Sequence, residues 1–190
     1  MVDVPETVVL DEGDVARALT RIAHEIAERN APAAGATAIV GIHRRGVHLA
    51  RRLQPQLSEL VAGGVPLGSL DIAFYRDDLA LRAEAPVLGG TQLDFAIDGA
   101  TVVIVDDVLF TGRTVRAAID ALLEYGRPAR VQLAVLIDRG HRELPIRPDY
   151  VGKNLPTSRG EHVHVRLREI DGVDEIAIAA AAGRVLEHTT

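Results

Sequence analysis

Residues Thr101 to Val105 (TVVIV) form an unbroken, largely β-branched run. Such a run folds as a strand covered on both faces, not as one half-open to water. It ends in Asp106 and Asp107, passes through VLFTGRT, and enters a helical stretch, VRAAIDALLEYG, stopped by Gly126 and Pro128. A second buried strand follows at VQLAVLI, Val131 to Ile137. The same pattern stands upstream, where the short β-rich run TAIVGI leads through the turn HRRG into a helix from about Val47 to Val61. Strands alternating with helices are βαβ units, which require a parallel sheet with right-handed crossovers. The expected class is therefore α/β, with a central, mainly parallel sheet flanked by helices.

Around this frame, Val15, Leu19, Ile22 and Ile26 recur at helical spacing between Asp14 and Asn30, with Arg17, Arg21, His24 and Glu28 on the opposite side. That stretch is an amphipathic helix ended by Asn30 and Pro32. PLGSLDIAFY reads as another strand. RDDLALRAEAPVLGGTQLDF has no sustained period, and marks a flap at about 71–98 reaching out of the body. From Asp149 the tail alternates short strands with turns. No internal repeat or linker breaks the 190 residues, a length suited to one domain over 1–190.

Composition narrows the chemistry. Aromatic residues make up 3% of the chain against 47% hydrophobic, so the core is aliphatic and platforms that stack successive bases are disfavoured. Absence of cysteine removes disulfides, thiolate metal sites and a cysteine nucleophile. The acidic N-terminal stretch is interrupted by Pro5 and the longest apolar run, near Ile176 to Ala182, is too short for a bilayer, so a soluble, cytoplasmic protein without membrane attachment is expected. A formal charge of -6 opposes nucleic-acid binding by global charge, leaving only a local basic patch for that purpose.

In open parallel sheets ligands sit at the carboxyl ends of strands. The segment Val102 to Thr114 (VVIVDDVLFTGRT) puts Thr111, Gly112, Arg113 and Thr114 at a helix start, where free amides and the positive end of the helix dipole favour a phosphate. Asp106 and Asp107 lie one loop-length away, able to accept from vicinal sugar hydroxyls and to favour a developing ribosyl cation. A phosphate cradle beside a carboxylate pair describes a site for ribose 5-phosphate. The alternative is an ordinary capped helix after a solvated strand end.

Four apolar residues, two acids, a short loop and T-G-x-T resemble the 5-phosphoribosyl-1-diphosphate motif of the type I phosphoribosyltransferases. The segments RALTRIAHEIAERN, DIAFYRDDL, VDDVLFTGRTVRAAIDAL and GRPARVQLAVLIDRGHRELPIRPDYVGKNLPTS extend the likeness over nearly the whole chain. They are similar to the PyrR family of pyrimidine operon regulators with uracil phosphoribosyltransferase activity. The resemblance implies the type I phosphoribosyltransferase fold with a small flap or hood. It also implies uracil and phosphoribosyl diphosphate as substrates, UMP or UTP as effectors, and Mg²⁺ carried by the substrate with no protein-bound metal. A homodimer or higher homo-oligomer is implied as well.

The same resemblance assigns Val108, Leu109 and Phe110 to the substrate loop with the T-G-x-T residues, and gives Arg45 a role at the leaving diphosphate. Arg44 stands where the family usually has threonine, which removes a hydroxyl and adds charge. Arg76, beside Tyr75, Asp77 and Asp78 in the flap, is implied as charge compensation when the flap closes and excludes water. Purine-using relatives carry an aspartate directly before T-G-x-T, and this chain has Phe110, so a pyrimidine base is expected. Phe110 also replaces the family's common tyrosine. Arg139, with the backbone near Val163, is implied to recognise uracil.

For RNA, the resemblance places Arg17, Thr20, Arg21, His24 and Arg29 of the first helix with His141, Arg142, Arg147, Lys153 and Thr157 on one surface that would bind an mRNA leader. By composition alone the helical residues read better as a solvated basic face than as a binding surface. Recognition would proceed through phosphate and exposed base edges, in transcription attenuation or another form of control. An alternative kept open is a regulator whose catalysis has decayed, favoured by Arg44 and Phe110; a third is a transferase for another base without RNA function. His162 and His164 share a strand face but lack a third ligand, and no P-loop, dinucleotide, zincin or G-x-S-x-G motif is present.

Overall fold

The computed structural model describes residues 6–31, 36–75 and 90–180. Its centre is a five-stranded sheet in the order β3-β2-β4-β5-β6, built from β2 (Thr37–Ile42), β3 (Leu67–Leu70), β4 (Thr101–Leu109), β5 (Arg130–Asp138) and β6 (Tyr150–Asn154). Every neighbouring pair is parallel. Three helices flank it: α1 (Glu12–Asn30), α2 (Arg45–Leu60) and α3 (Arg113–Leu123).

Alternation along the strands explains the burial on both faces. Val103 and Val105 of β4 pack with Ile22, Ile26, Leu49 and Leu53 of α1 and α2. Val102 and Ile104 pack with Val115, Ala118 and Leu122 of α3 on the other face. An aliphatic run is what a strand between two helical layers demands.

A second sheet, order β1-β8-β7, consists of antiparallel strands β1 (Glu6–Leu10), β7 (His162–Arg166) and β8 (Glu175–Ala179). With the short helix α4 (Arg168–Asp171) it forms a hood. Arg52 of α2 ties the hood down, donating to Glu169 (2.5 and 2.8 Å) and Asp174 (2.7 and 3.0 Å). Arg168 reaches Glu12 and Arg166 reaches Glu6.

Two expectations need correction. PLGSLDIAFY is a strand only over Leu67–Leu70, after which the chain turns through a 3-10 segment, Ala73–Tyr75, with the Asp71 carboxylate accepting from the Ala73 amide (2.9 Å). The strand that begins at Thr101 does not end before the acids. It continues to Leu109, because pairing with β5 persists from Asp106 opposite Val135 to Leu109 opposite Asp138. Of the flap, residues 76–89 lie outside the described residues, Arg76, Asp77 and Asp78 among them.

One polar cluster sits beneath α1. Asn30 donates to Gln132 Oε1 (2.9 Å) and to the Tyr150 hydroxyl (3.2 Å), while Gln132 donates back to Asn30 (3.1 Å) and Tyr150 donates to Gln132 (3.0 Å). All three residues are buried and mutually satisfied.

Candidate active site

Three loops leave the carboxyl edge of adjacent strands β2, β4 and β5, and carry GIHRRG, FTGRT and DRGH. In the loop after β4, Gly112 is the N-cap of α3 with φ 94°, and no side chain caps that helix. A positive φ of this size is open to glycine and costly for other residues. Leu144 and Ile146 stand behind the loop, 3.4 Å from where a Cβ on Gly112 would lie, and the Thr111 carbonyl accepts from the Glu143 and Leu144 amides (3.0 and 3.1 Å). Thr111 and Thr114 are half-buried and Arg113, paired with Glu143 at 3.1 Å, is exposed. Val108 is half-buried and Leu109 buried, which anchors the loop in the core.

Asp106 is buried and Asp107 half-buried. Asp106 accepts from the Asp107 amide (2.9 Å), and Asp107 accepts from the Val108 amide (3.0 Å). These local bonds hold both carboxylates near the end of β4, a short loop before the start of α3.

The loop after β2 is packed tightly on β4. A Cβ on Gly46 would come within 2.3 Å of the Val105 carbonyl, so only glycine lets α2 begin there. The His43–Arg44 peptide is cis. Arg44 is exposed, whereas Arg45 places Nη2 3.1 Å from both oxygens of Asp171 in the hood. Burial works against ionised Asp171, but the Leu167 amide and Arg45 together hold its carboxyl below the ordinary aspartate range.

The loop after β5 gathers a polar cluster around Arg139. Arg139 is buried, with Nε donating to Thr157 Oγ1 (3.1 Å) and Nη2 to the carbonyls of Ser158 (3.0 Å) and Glu161 (2.8 Å). Its guanidinium lies 4.2 Å from the centroid of the Phe110 ring. Burial lowers its pKa from the ordinary value, opposed by the charge of Glu161. His141 meets Phe110 edge-on, centroids 5.9 Å apart, and bonds through Nε2 to the Thr157 carbonyl. Val163 follows on β7, half-buried.

Among the basic residues, Arg17, Thr20, Arg21, His24 and Arg29 are all exposed on α1. Arg21 donates to the carbonyls of Val151 (3.0 Å) and Gly152 (2.5 Å), joining this face to β6, where Lys153 is exposed. Arg29 pairs with Asp149 (3.1 Å) and overlies the Tyr150 ring at 5.7 Å; Arg17 pairs with Asp14 (2.7 Å). Arg147 is exposed too. Arg142 differs, because its donors turn inward to the carbonyls of Ile146 (3.1 Å), Phe110 (2.9 Å) and Gly140 (3.2 Å) and to Asp138 (2.5 Å). It braces the loops after β4 and β5 against each other.

Sequence reasoning missed Asp171 as the holder of Arg45, 126 residues away, and the 158–161 turn as the holder of Arg139. Neither carries a local signal. Among the described residues no three His, Asp or Glu side chains converge on a possible metal position, and no helix is long and apolar enough to cross a membrane.

Residues 8–170 match the phosphoribosyl transferase domain family. The chain is 61% identical to the bifunctional protein PyrR of Roseiflexus sp. (strain RS-1), over 91% of this chain and 94% of that one. It is 58% identical to the bifunctional protein PyrR of Acetivibrio thermocellus, over 94% and 96%. Among solved structures, a hypoxanthine phosphoribosyltransferase of Trypanosoma cruzi superposes with a TM-score of 0.68 at 18% identity, covering 92% of this chain and 97% of that one, a likeness of fold. A parallel five-stranded sheet, an uncapped glycine-led helix behind two acids and these identities together place the chain in the PyrR family of phosphoribosyl transferase domain proteins.

Proposed function

We propose that the protein transfers the phosphoribosyl group of 5-phosphoribosyl-1-diphosphate to uracil, giving UMP and diphosphate, and binds an mRNA leader in response to UMP or UTP. The observation carrying the catalytic half is the α3 start, open and glycine-led, next to Asp106 and Asp107. The 5-phosphate rests on the α3 amides with Thr111 and Thr114 as further donors. Asp106 and Asp107 hold the ribose hydroxyls and favour positive charge on the sugar as the bond from C1 to diphosphate breaks. Uracil N1 forms the new bond to C1 and gives up its proton to the departing diphosphate, leaving a neutral base in UMP.

Arg45, held by Asp171, supports the leaving diphosphate, with Arg44 adding charge at the loop rim and Arg76 supplying more from the flap. Mg²⁺ enters with phosphoribosyl diphosphate as part of the substrate and neutralises diphosphate charge. Arg139 and the backbone near Val163 face the base, and Phe110, which cannot exchange a proton, favours a pyrimidine over a purine. The protein works in the cytoplasm as a homodimer or larger homo-oligomer.

Purified protein with uracil, Mg²⁺ and phosphoribosyl diphosphate should release diphosphate, and hypoxanthine should not replace uracil. Asp107→Asn should lower turnover by about 100-fold or more. Unaltered turnover in that variant rejects the assignment, and nucleotide binding without diphosphate release in the parent protein would leave it a regulator alone. For RNA, Arg21→Gln and Lys153→Gln should each weaken leader binding and flatten its salt dependence, since each removes about one phosphate contact. Affinity unchanged in both removes the RNA role.

A further inference from the structure

We propose that Thr157 is a positioning residue of the base pocket, setting the orientation of Arg139, so that one residue of the surface assigned to RNA also governs the choice of base. This rests on Arg139 as the group that meets uracil. The guanidinium is buried against the Phe110 ring, and its rotation about the long side chain is fixed by three acceptors, of which the Thr157 hydroxyl alone receives Nε. The Ser158 and Glu161 carbonyls both take Nη2. The Nη2 bonds hold the far end of the guanidinium, and the bond at Nε holds the end nearer the chain.

Threonine is suited to this post. Its hydroxyl accepts from Arg139 while its carbonyl accepts from His141, which in turn lies edge-on to Phe110. Arg139, Phe110, His141 and Thr157 thus close a ring of contacts around the side of the pocket where the base would sit. Losing the hydroxyl leaves a buried Nε facing a methyl group, and an unpaired donor on a charged side chain is costly enough to drive the guanidinium to another pose.

The test uses the intact protein without RNA. Thr157→Val keeps the volume and removes the hydroxyl, and should raise KM for uracil about tenfold with KM for phosphoribosyl diphosphate unchanged. Thr157→Ser keeps the hydroxyl and should restore uracil KM to near the parent value. A general packing defect would move both constants together and would not be rescued by serine. Unchanged uracil KM in Thr157→Val overturns the proposal, and so does an equal rise in both constants. If the parent protein turns over uracil and these variants fail the pattern, the positioning role falls while the assigned activity stands; if the parent shows no uracil turnover, the functional assignment itself has failed.

Discussion

Helices α1 and α3 begin in opposite ways. At α1, Asp11 accepts from the Asp14 amide (2.8 Å) and Asp14 accepts from the Asp11 amide (3.2 Å), a complete capping box reinforced by Glu12 in the first turn. At α3, a left-handed glycine leads, no side chain caps, and the first turn carries no acid. A closed helix start satisfies its own amides and carries negative charge at the positive pole, so it has nothing to offer an anion. An open one gives up that local stability and puts no carboxylate against its first amides. The proposed phosphate site is the helix start that the chain leaves unfinished.

The most severe way to break this contrast is Gly112→Ala. Its Cβ demands a left-handed backbone that alanine resists, and the loop must shift. We expect kcat/KM for phosphoribosyl diphosphate to fall about 100-fold, measured by diphosphate release, since small displacements of a positioning loop carry costs of that order. Inorganic phosphate should raise the melting temperature of the parent protein and fail to do so in this variant.

Asp11→Ala is the mirror experiment. Opening α1 should cost about 1 kcal/mol of stability in denaturant unfolding, with both KM values untouched, because an exposed amide end without a shaped loop makes no phosphate site. Acid sharpens the comparison further. The Asp14 carboxyl is held below its ordinary value, first by the Asp11 amide and then by Arg17. A group whose folded pKa is depressed contributes above the ordinary aspartate range and loses that contribution as pH falls through the depressed value. Protection of the Asp11 amide relative to intrinsic exchange should therefore fall in acid, while the α3 amides, which depend on no carboxylate cap, keep theirs. Equal acid response at both ends would dissolve the contrast.

The parts legible in sequence are those whose signal is local. TVVIV announced a doubly covered strand because β-branched residues on both parities need helices on both faces, and T-G-R-T announced a helix start because glycine and threonine are what such a start requires. The pairing within the hood was not legible. Strand β1 pairs with β8, with Glu6 opposite Ala179 from the far end of the chain, and nothing in ETVVL names its partner. Asp171 reads as one more acid in a polar turn until α4 brings it to Arg45. Resemblance puts Arg142 on the surface expected to bind RNA, whereas the carbonyls it gathers from two loops are invisible in a linear sequence. The strand extension through Asp106 to Leu109 was hidden for a related reason, since two acids look like a strand's end and only the neighbouring ladder shows otherwise.

The buried trio of Asn30, Gln132 and Tyr150 has a mechanical corollary. Apolar packing alone would let α1 slide by a fraction of a turn over β5 and β6, as greasy surfaces tolerate small offsets. Interlocked amide and phenol groups reject any such offset, because each would strand a donor away from water. The basic face of α1 is thereby pinned in one register over β5 and β6, a ruler clamped at one mark.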